Sequence, residues 1–202
     1  MHRLALLILL ITSTAAADTY DIGFRVGGYG FRREGDGGWD ECRMNGAGLF
    51  ASRVLTGPLY LEAGLDAYSS AGNPPSTDLP IDRMSGILSS AIGARAQLTS
   101  WLRGYLQLGA GVELTRVSVH YDTTTFRDQK VMPAGFFGVG FDIRIAHGTY
   151  LGAAMRTLVM GNFDYDPGKL EMQAWGGAPS SDLFKASPDL AAQGQFYVRR
   201  DL

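Results

Sequence analysis

The stretch Val117–Asp122, VSVHYD, places a hydroxyl, an imidazole and a carboxylate at alternate positions: Ser118, His120 and Asp122. On an extended chain these would share one face as nucleophile, base and orienting acid. Alternate residues lie about 6.6 Å apart along a strand, too far for direct hydrogen bonds without a neighbouring strand. The plainer reading of His120 is a histidine at the base of a loop, so no catalytic residue is assigned and an enzyme is not expected. His2 and His147 lie far from it in the chain, so no multi-histidine metal site is visible and no metal or cofactor is expected. Glycine pairs such as Gly109-Ala110-Gly111 sit inside strand-like segments without a following helix and carry no nucleotide signal.

A second set of chemically capable residues is spread over several segments. Glu62, Asp66, Glu113 and Asp142 alternate with apolar neighbours, as do Arg95, Arg103, Arg144 and Arg156. Four acids against four arginines is a balanced set. If all point into a narrow interior they must pair, because an unpaired buried charge is costly. That predicts an interior ion-pair network acting as a structural plug; a charged ion path is the alternative. A third set is aromatic: Phe163, Tyr165, Trp175 and Phe184 fall in or beside one long connection, 163–187, where they could recognise an external ligand or pack over the rest of the molecule.

The elements that would position these residues are strands. Period-two alternation recurs near 19–32, 41–55, 58–69, 83–98, 101–119, 130–146, 149–162 and 188–199. In WLRGYLQLGAGVEL, residues 101–114, Leu102, Leu106, Leu108, Ala110, Val112 and Leu114 oppose Arg103, Tyr105, Gln107, Gly109, Gly111 and Glu113. The second segment resists orientation, with Leu49 and Arg53 on one face and Phe50 and Val54 on the other, and beyond Leu114 the fifth loses its contrast. Connections alternate in length: TGP (56–58), TS (99–100) and HG (147–148) are short, whereas REGDGGWD, SAGNPPSTDLPID, YDTTTFRDQ and 163–187 are long. Short turns at one end and long loops at the other describe a membrane barrel of the bacterial outer membrane.

Glycine decides which face is inside. Gly64, Gly93, Gly109, Gly111, Gly138, Gly140 and Gly152 share the polar face, in a chain with 27 glycines. A solvent-exposed face gains nothing from glycine, which weakens a strand. The interior of an eight-stranded barrel is only just wide enough for side chains, so small residues must sit among large ones. The apolar face is therefore expected outward, in lipid. A soluble lipocalin-like barrel would share the alternation but not the sorted loops.

The chain of 202 residues opens with MHRLALLILLITSTAAA, a basic start, a short apolar run and a small-residue end that read as a removable signal peptide over 1–17. One barrel domain, 18–202, is expected to follow. Removing Arg3 leaves 17 basic against 20 acidic residues, a charge of −3 that argues against a nucleic-acid partner. Cys42 is the single cysteine, so no internal disulfide can form.

The segments GVGFDIRIAHGTYLGAAMR (138–156) and LRGYLQLGAGVEL (102–114) resemble hairpin strands of the small outer-membrane barrels of the OmpA/OmpX-like class. The resemblance implies an all-β, eight-stranded, antiparallel up-and-down transmembrane barrel. It also implies a monomer, inserted by the outer-membrane assembly machinery and surrounded by lipid and lipopolysaccharide. Such barrels usually end in an aromatic residue; here GQFYVRRDL ends in Leu202. Some relatives of this class modify lipopolysaccharide, but the lipid deacylases place their serine two residues after the histidine, whereas Ser118 precedes His120. The expected role is structural or surface-interacting, with the 163–187 connection as the candidate site for an external ligand.

Overall fold

The computed structural model describes residues 20–31, 43–72, 81–121, 124–165 and 184–202. They form eight strands: β1 (Tyr20–Phe31), β2 (Met44–Thr56), β3 (Leu59–Gly72), β4 (Ile81–Gln97), β5 (Leu102–Tyr121), β6 (Thr124–Ala146), β7 (Thr149–Tyr165) and β8 (Phe184–Asp201). Each pairs antiparallel with the next, and β1 pairs with β8 to close the ring. The alternation in the sequence thus becomes a closed up-and-down barrel.

The three short turns lie at one end, with the N-terminus of β1 and the C-terminus of β8. Gly57 and Gly148 adopt positive φ of 53° and 65° in two of these turns, a conformation that a residue with a Cβ adopts only at a cost. Main-chain bonds tie the end together: Asp201 N–H donates to Gly148 O and Leu202 N–H to Tyr20 O, each at 2.8 Å.

The outward faces are apolar. Val131 (66 % exposed), Phe196 (68 %), Leu108, Leu106, Val112, Leu88, Leu65 and Phe137 are among the side chains left uncovered. Inward, Gln107, Glu113 and Asp142 are wholly buried. This inversion of polarity is that of a protein dissolved in lipid. The second strand, unoriented by its sequence, turns Met44, Phe50 and Ser52 inward and Leu49 outward. The fifth keeps its alternation past Leu114, with Thr115 and Val117 buried and Arg116 exposed; the sequence contrast fades there because the outward residues turn polar, not because the strand ends.

Two connections are shorter than the sequence suggests. YDTTTFRDQ is mostly strand, since the β5–β6 ladder runs out to Tyr121↔Thr124, and Thr124, Thr125 and Phe126 suit an extended chain. The 163–187 connection begins and ends in strand, with β7 reaching Tyr165 and β8 starting at Phe184. The β6–β7 ladder, in contrast, stops at Gly135↔Val159, although both strands continue. Pro133, with no N–H to give, stands just beyond that point. There the Gly161 carbonyl accepts from the Arg83 guanidinium across the interior at 2.8 Å.

The interior glycines are cradles for aromatic rings. A Cβ added at Gly152 would collide with the Tyr197 ring, one at Gly93 with Tyr60, and one at Gly109 with Phe136. A Cβ on the outward Gly194 would meet nothing within 4 Å. Gly152→Ala should therefore destabilise the detergent-folded barrel by about 1–3 kcal/mol through overpacking, while Gly194→Ala leaves it unchanged or slightly more stable; thermal unfolding followed by the heat-modifiable gel shift reads both.

Candidate functional site

The barrel holds its chemistry in its interior. Among the described residues, six arginines (Arg25, Arg83, Arg95, Arg103, Arg156, Arg199) face six acids (Asp21, Glu62, Asp66, Glu113, Asp142, Asp201) across the lumen. They fall in three groups along the axis.

At the centre, Arg25 of β1 grips two carboxylates of β3. Its Nε and Nη2 donate to the two oxygens of Asp66 at 2.6 and 2.5 Å, the bidentate geometry of a guanidinium fork. Its Nη1 donates to Glu62 at 3.0 Å, and Arg156 of β7 reaches the same Glu62 oxygen at 2.9 Å. Gln107 lies between Arg156 and Tyr60; with its amide oxygen toward Arg156 it accepts both Nε and Nη2 at 2.7 Å. Nearer the turn end, Asp21 accepts from Arg95 at 2.5 Å and from Ser52 at 2.8 Å. Asp142 is paired with Arg199 and accepts from the Tyr197 hydroxyl at 2.5 Å. Arg103 approaches Asp142 at 3.5 Å and Asp201 at 3.9 Å while its guanidinium stacks 3.5 Å from the Tyr150 ring centre.

Toward the loop end, Glu113 is wholly buried and accepts from Arg83 at 3.0 Å and from Ser85 at 2.6 Å. Around this last pair the interior turns apolar: Tyr29, Phe31, Met44, Tyr68, Ile87, Phe136, Leu158 and Met160 pack as one cluster. The central void bounded by Arg25, Phe50, Glu62, Tyr105, Arg156 and Tyr197 measures only about 10 Å³. That is room for one water molecule at most.

Of the residues singled out by alternation, Glu62, Asp66, Arg95, Arg103, Glu113, Asp142 and Arg156 thus face the lumen and meet charged partners. Arg144 does not. It keeps the inward parity, opposite the buried Tyr150, but stands exposed on the turn-end rim of β6, beyond the last β5–β6 pair at Leu102↔Ile143. Arg25, Arg83, Arg199, Asp21 and Asp201 were missed. Their signal was present: Asp21, Gly23, Arg25 and Gly27 oppose Ile22, Phe24 and Val26, and Arg199 follows Gln195 and Tyr197 on one parity.

His120 lies on the outer face near the loop end. Its Nε2 lies 3.0 Å from Asp82 of β4 and its Nδ1 3.0 Å from Thr125 of β6. The ring therefore bridges three strands, and Ser118, two residues away on the same face, is not among its hydrogen-bond partners. Asp122 lies outside the described residues, as does Trp175. Phe163, Tyr165 and Phe184 fall on the extended ends of β7 and β8, with their side chains outside the described set. Among the described residues no cluster of three or more His, Cys, Asp or Glu is arranged to hold a metal ion.

Removing one partner of a buried pair leaves the other charge uncompensated, at a cost of about 3–5 kcal/mol. Arg25→Met, which strips Asp66 of both its hydrogen-bonded contacts with the guanidinium, should lower detergent stability by that order. Arg103→Met should cost clearly less, because its contacts are longer and Asp142 keeps Arg199. Equal losses in chemical unfolding would contradict this ranking.

No family model matches the sequence, and no curated protein matches it. Solved structures do. A major outer membrane protein of Thermus thermophilus superposes with a TM-score of 0.62 at 10 % identity, covering 93 % of this chain and all of that one. Ail, the attachment invasion locus protein of Yersinia pestis, in complex with the heparin analogue sucrose octasulfate, gives 0.52 at 8 % identity, covering 92 % of this chain and 97 % of Ail. Neisserial surface protein A gives 0.50 at 13 % identity, covering 94 % of this chain and all of that one. Identities this low speak for the fold alone, and on that ground the chain has the architecture of the small OmpA/OmpX-like outer-membrane β-barrels.

Proposed function

We propose that the protein resides in the bacterial outer membrane, as a monomer with its 1–17 leader removed, and acts there as a surface-interaction barrel, not as a conduit or an enzyme. The observation that carries this reading is the filled lumen: six arginines and six acids engage one another along it, and the central void among Arg25, Glu62, Arg156 and Arg199 measures about 10 Å³. A path for ions or solutes would have to separate buried pairs, and each buried charge left uncompensated costs several kcal/mol. The interior serves stability, and interaction falls to what projects beyond the lipid: the outer ends of β5–β8 and the connection between β7 and β8, with Trp175 and its neighbouring aromatics as candidate contacts. Lipid and lipopolysaccharide surround the wall, and assembly machinery inserts it. Ail, of the same fold, is seen holding a sulfated sugar, which supports surface recognition as work such a barrel can do.

Reconstituted in planar bilayers, the protein should show no discrete conductance steps; reproducible channel openings would refute the plug. Deleting residues 168–183 should leave a folded barrel that no longer binds external material retained by the intact protein. A folded deletion variant with every interaction kept would remove that connection from the function.

The Asp82–His120–Thr125 chain has the order of an acid, a base and a hydroxyl, which makes lipid hydrolysis the second reading. Expression should nevertheless cause no loss of acyl chains from lipopolysaccharide. Loss that disappears in His120→Ala would establish the enzyme instead.

A further inference from the structure

We infer that Arg116 and Arg127 form a binding site for the phosphate of an outer-leaflet glycolipid headgroup. On the outer face of the β5–β6 ladder, Leu106, Leu108, Val112 and Leu114 of β5 and Phe141, Val139, Phe137 and Val131 of β6 are exposed and apolar. The last apolar pair toward the loops is Leu114↔Val131. The next outward pair is Arg116↔Gln129, and the one after it Ser118↔Arg127. The two arginines are therefore diagonal neighbours, about 7–8 Å apart at their Cα atoms, and stand one and two steps beyond the edge of the apolar belt.

Both are exposed. Neither makes a hydrogen bond or ion pair among the described residues, in contrast to the six arginines of the lumen. The acids nearby are engaged: Asp82, opposite Ser118, bonds His120 at 3.0 Å, and Asp128, on the other face of β6, pairs with Lys130 at 3.5 Å. What remains on this face is two guanidinium groups flanked by Ser118 and Gln129. Two free forks at the level where the hydrocarbon ends suit a phosphate better than any neutral group, because each can bond it bidentately. An exposed arginine beside lipid is also attracted to anionic headgroups.

This site deepens the proposed surface role and rests on the reading that the loop end faces outward. It does not depend on whether the lumen conducts, so its failure and that of the plug are separate results.

The test uses the full barrel folded in detergent, titrated with lipid A bearing both phosphates and with enzymatically dephosphorylated lipid A. The wild type should prefer the phosphorylated form, and R116Q/R127Q should weaken that binding about tenfold or more, as expected for losing charge-assisted hydrogen bonds. Each single variant should lose part of the affinity, and R116K/R127K should recover only some, since lysine offers a point charge without the fork. R144Q/R200Q, which removes two exposed arginines on β6 and β8 at the turn end, should bind as the wild type does. Unchanged unfolding temperature in the variants would show that folding is not the cause. Equal binding of the two lipid A forms, or an unaffected double variant, would overturn the site. Displacement of lipid A by inorganic phosphate at equal concentration would overturn the glycolipid assignment, as would loss of binding in R144Q/R200Q.

Discussion

Hydrocarbon offers no hydrogen bonds. Every main-chain N–H and C=O of a chain that crosses it must be satisfied by another part of the same chain. For strands this permits one solution, a ring with no edge, and the pairing of β1 with β8 supplies it. Much else in the molecule follows from closure. A ring of eight strands has a fixed, narrow bore, so what lies inside is a packing problem as much as an electrostatic one. Tyr197, Tyr60 and Phe136 fit because Gly152, Gly93 and Gly109 face them without a Cβ. The same rule explains the odd contact at the β6–β7 seam. Where that ladder stops, the interior Arg83 donates to the Gly161 carbonyl, so a side chain takes up a main-chain acceptor beyond the last β6–β7 pair.

The charges inside answer to the same narrowness. A carboxylate enclosed by protein and lipid needs a cation close by, and Asp21, Glu62, Asp66, Glu113 and Asp142 each have one in direct contact, whereas the less enclosed Asp201 at the turn end lies 3.9 Å from Arg103. Arginine suits this role better than lysine, because one fork can hold two acids, as Arg25 holds Asp66 and Glu62. The network alone does not make such a barrel stable, since a buried ion pair recovers little more than its own desolvation. It makes the bore specific: a slipped register would turn Asp66 or Glu113 into lipid.

Alternation made most of this legible in the sequence. Period two with glycine on the polar side revealed both the strands and which face was inside, because the bore, unlike a solvated surface, selects for glycine. The failures have equally physical causes. Arg144 has the inward parity, opposite Tyr150, but on the exposed turn-end rim it meets no carboxylate among the described residues. β2 could not be oriented because its inward set mixes Phe50 and Met44 with Ser52, and an interior with an apolar layer breaks the rule that polar means inside. The β5–β6 extension looked like a loop because, above the lipid, an outward residue need not be apolar, so Arg116, Ser118 and His120 erased the contrast while the ladder continued. The Asp82–His120 contact joins β4 to β5 across 38 residues, and no spacing within VSVHYD could have shown it.

The chain therefore changes its rules along the barrel axis. Within the belt, outward residues are apolar and every charge is turned inward and neutralised. Past Leu114 and Val131 the outward face admits charge, and there Arg116 and Arg127 stand without a protein partner among the described residues. In a bore this full, an unpaired cation inside would be expelled or bound; outside, at the edge of the lipid, it costs little and remains available. The fold thus separates its two tasks by position. Burial of paired charge holds the barrel in one register, and exposure of unpaired charge leaves it something to bind with, so recognition is to be sought on the outer face and beyond it, not in the lumen.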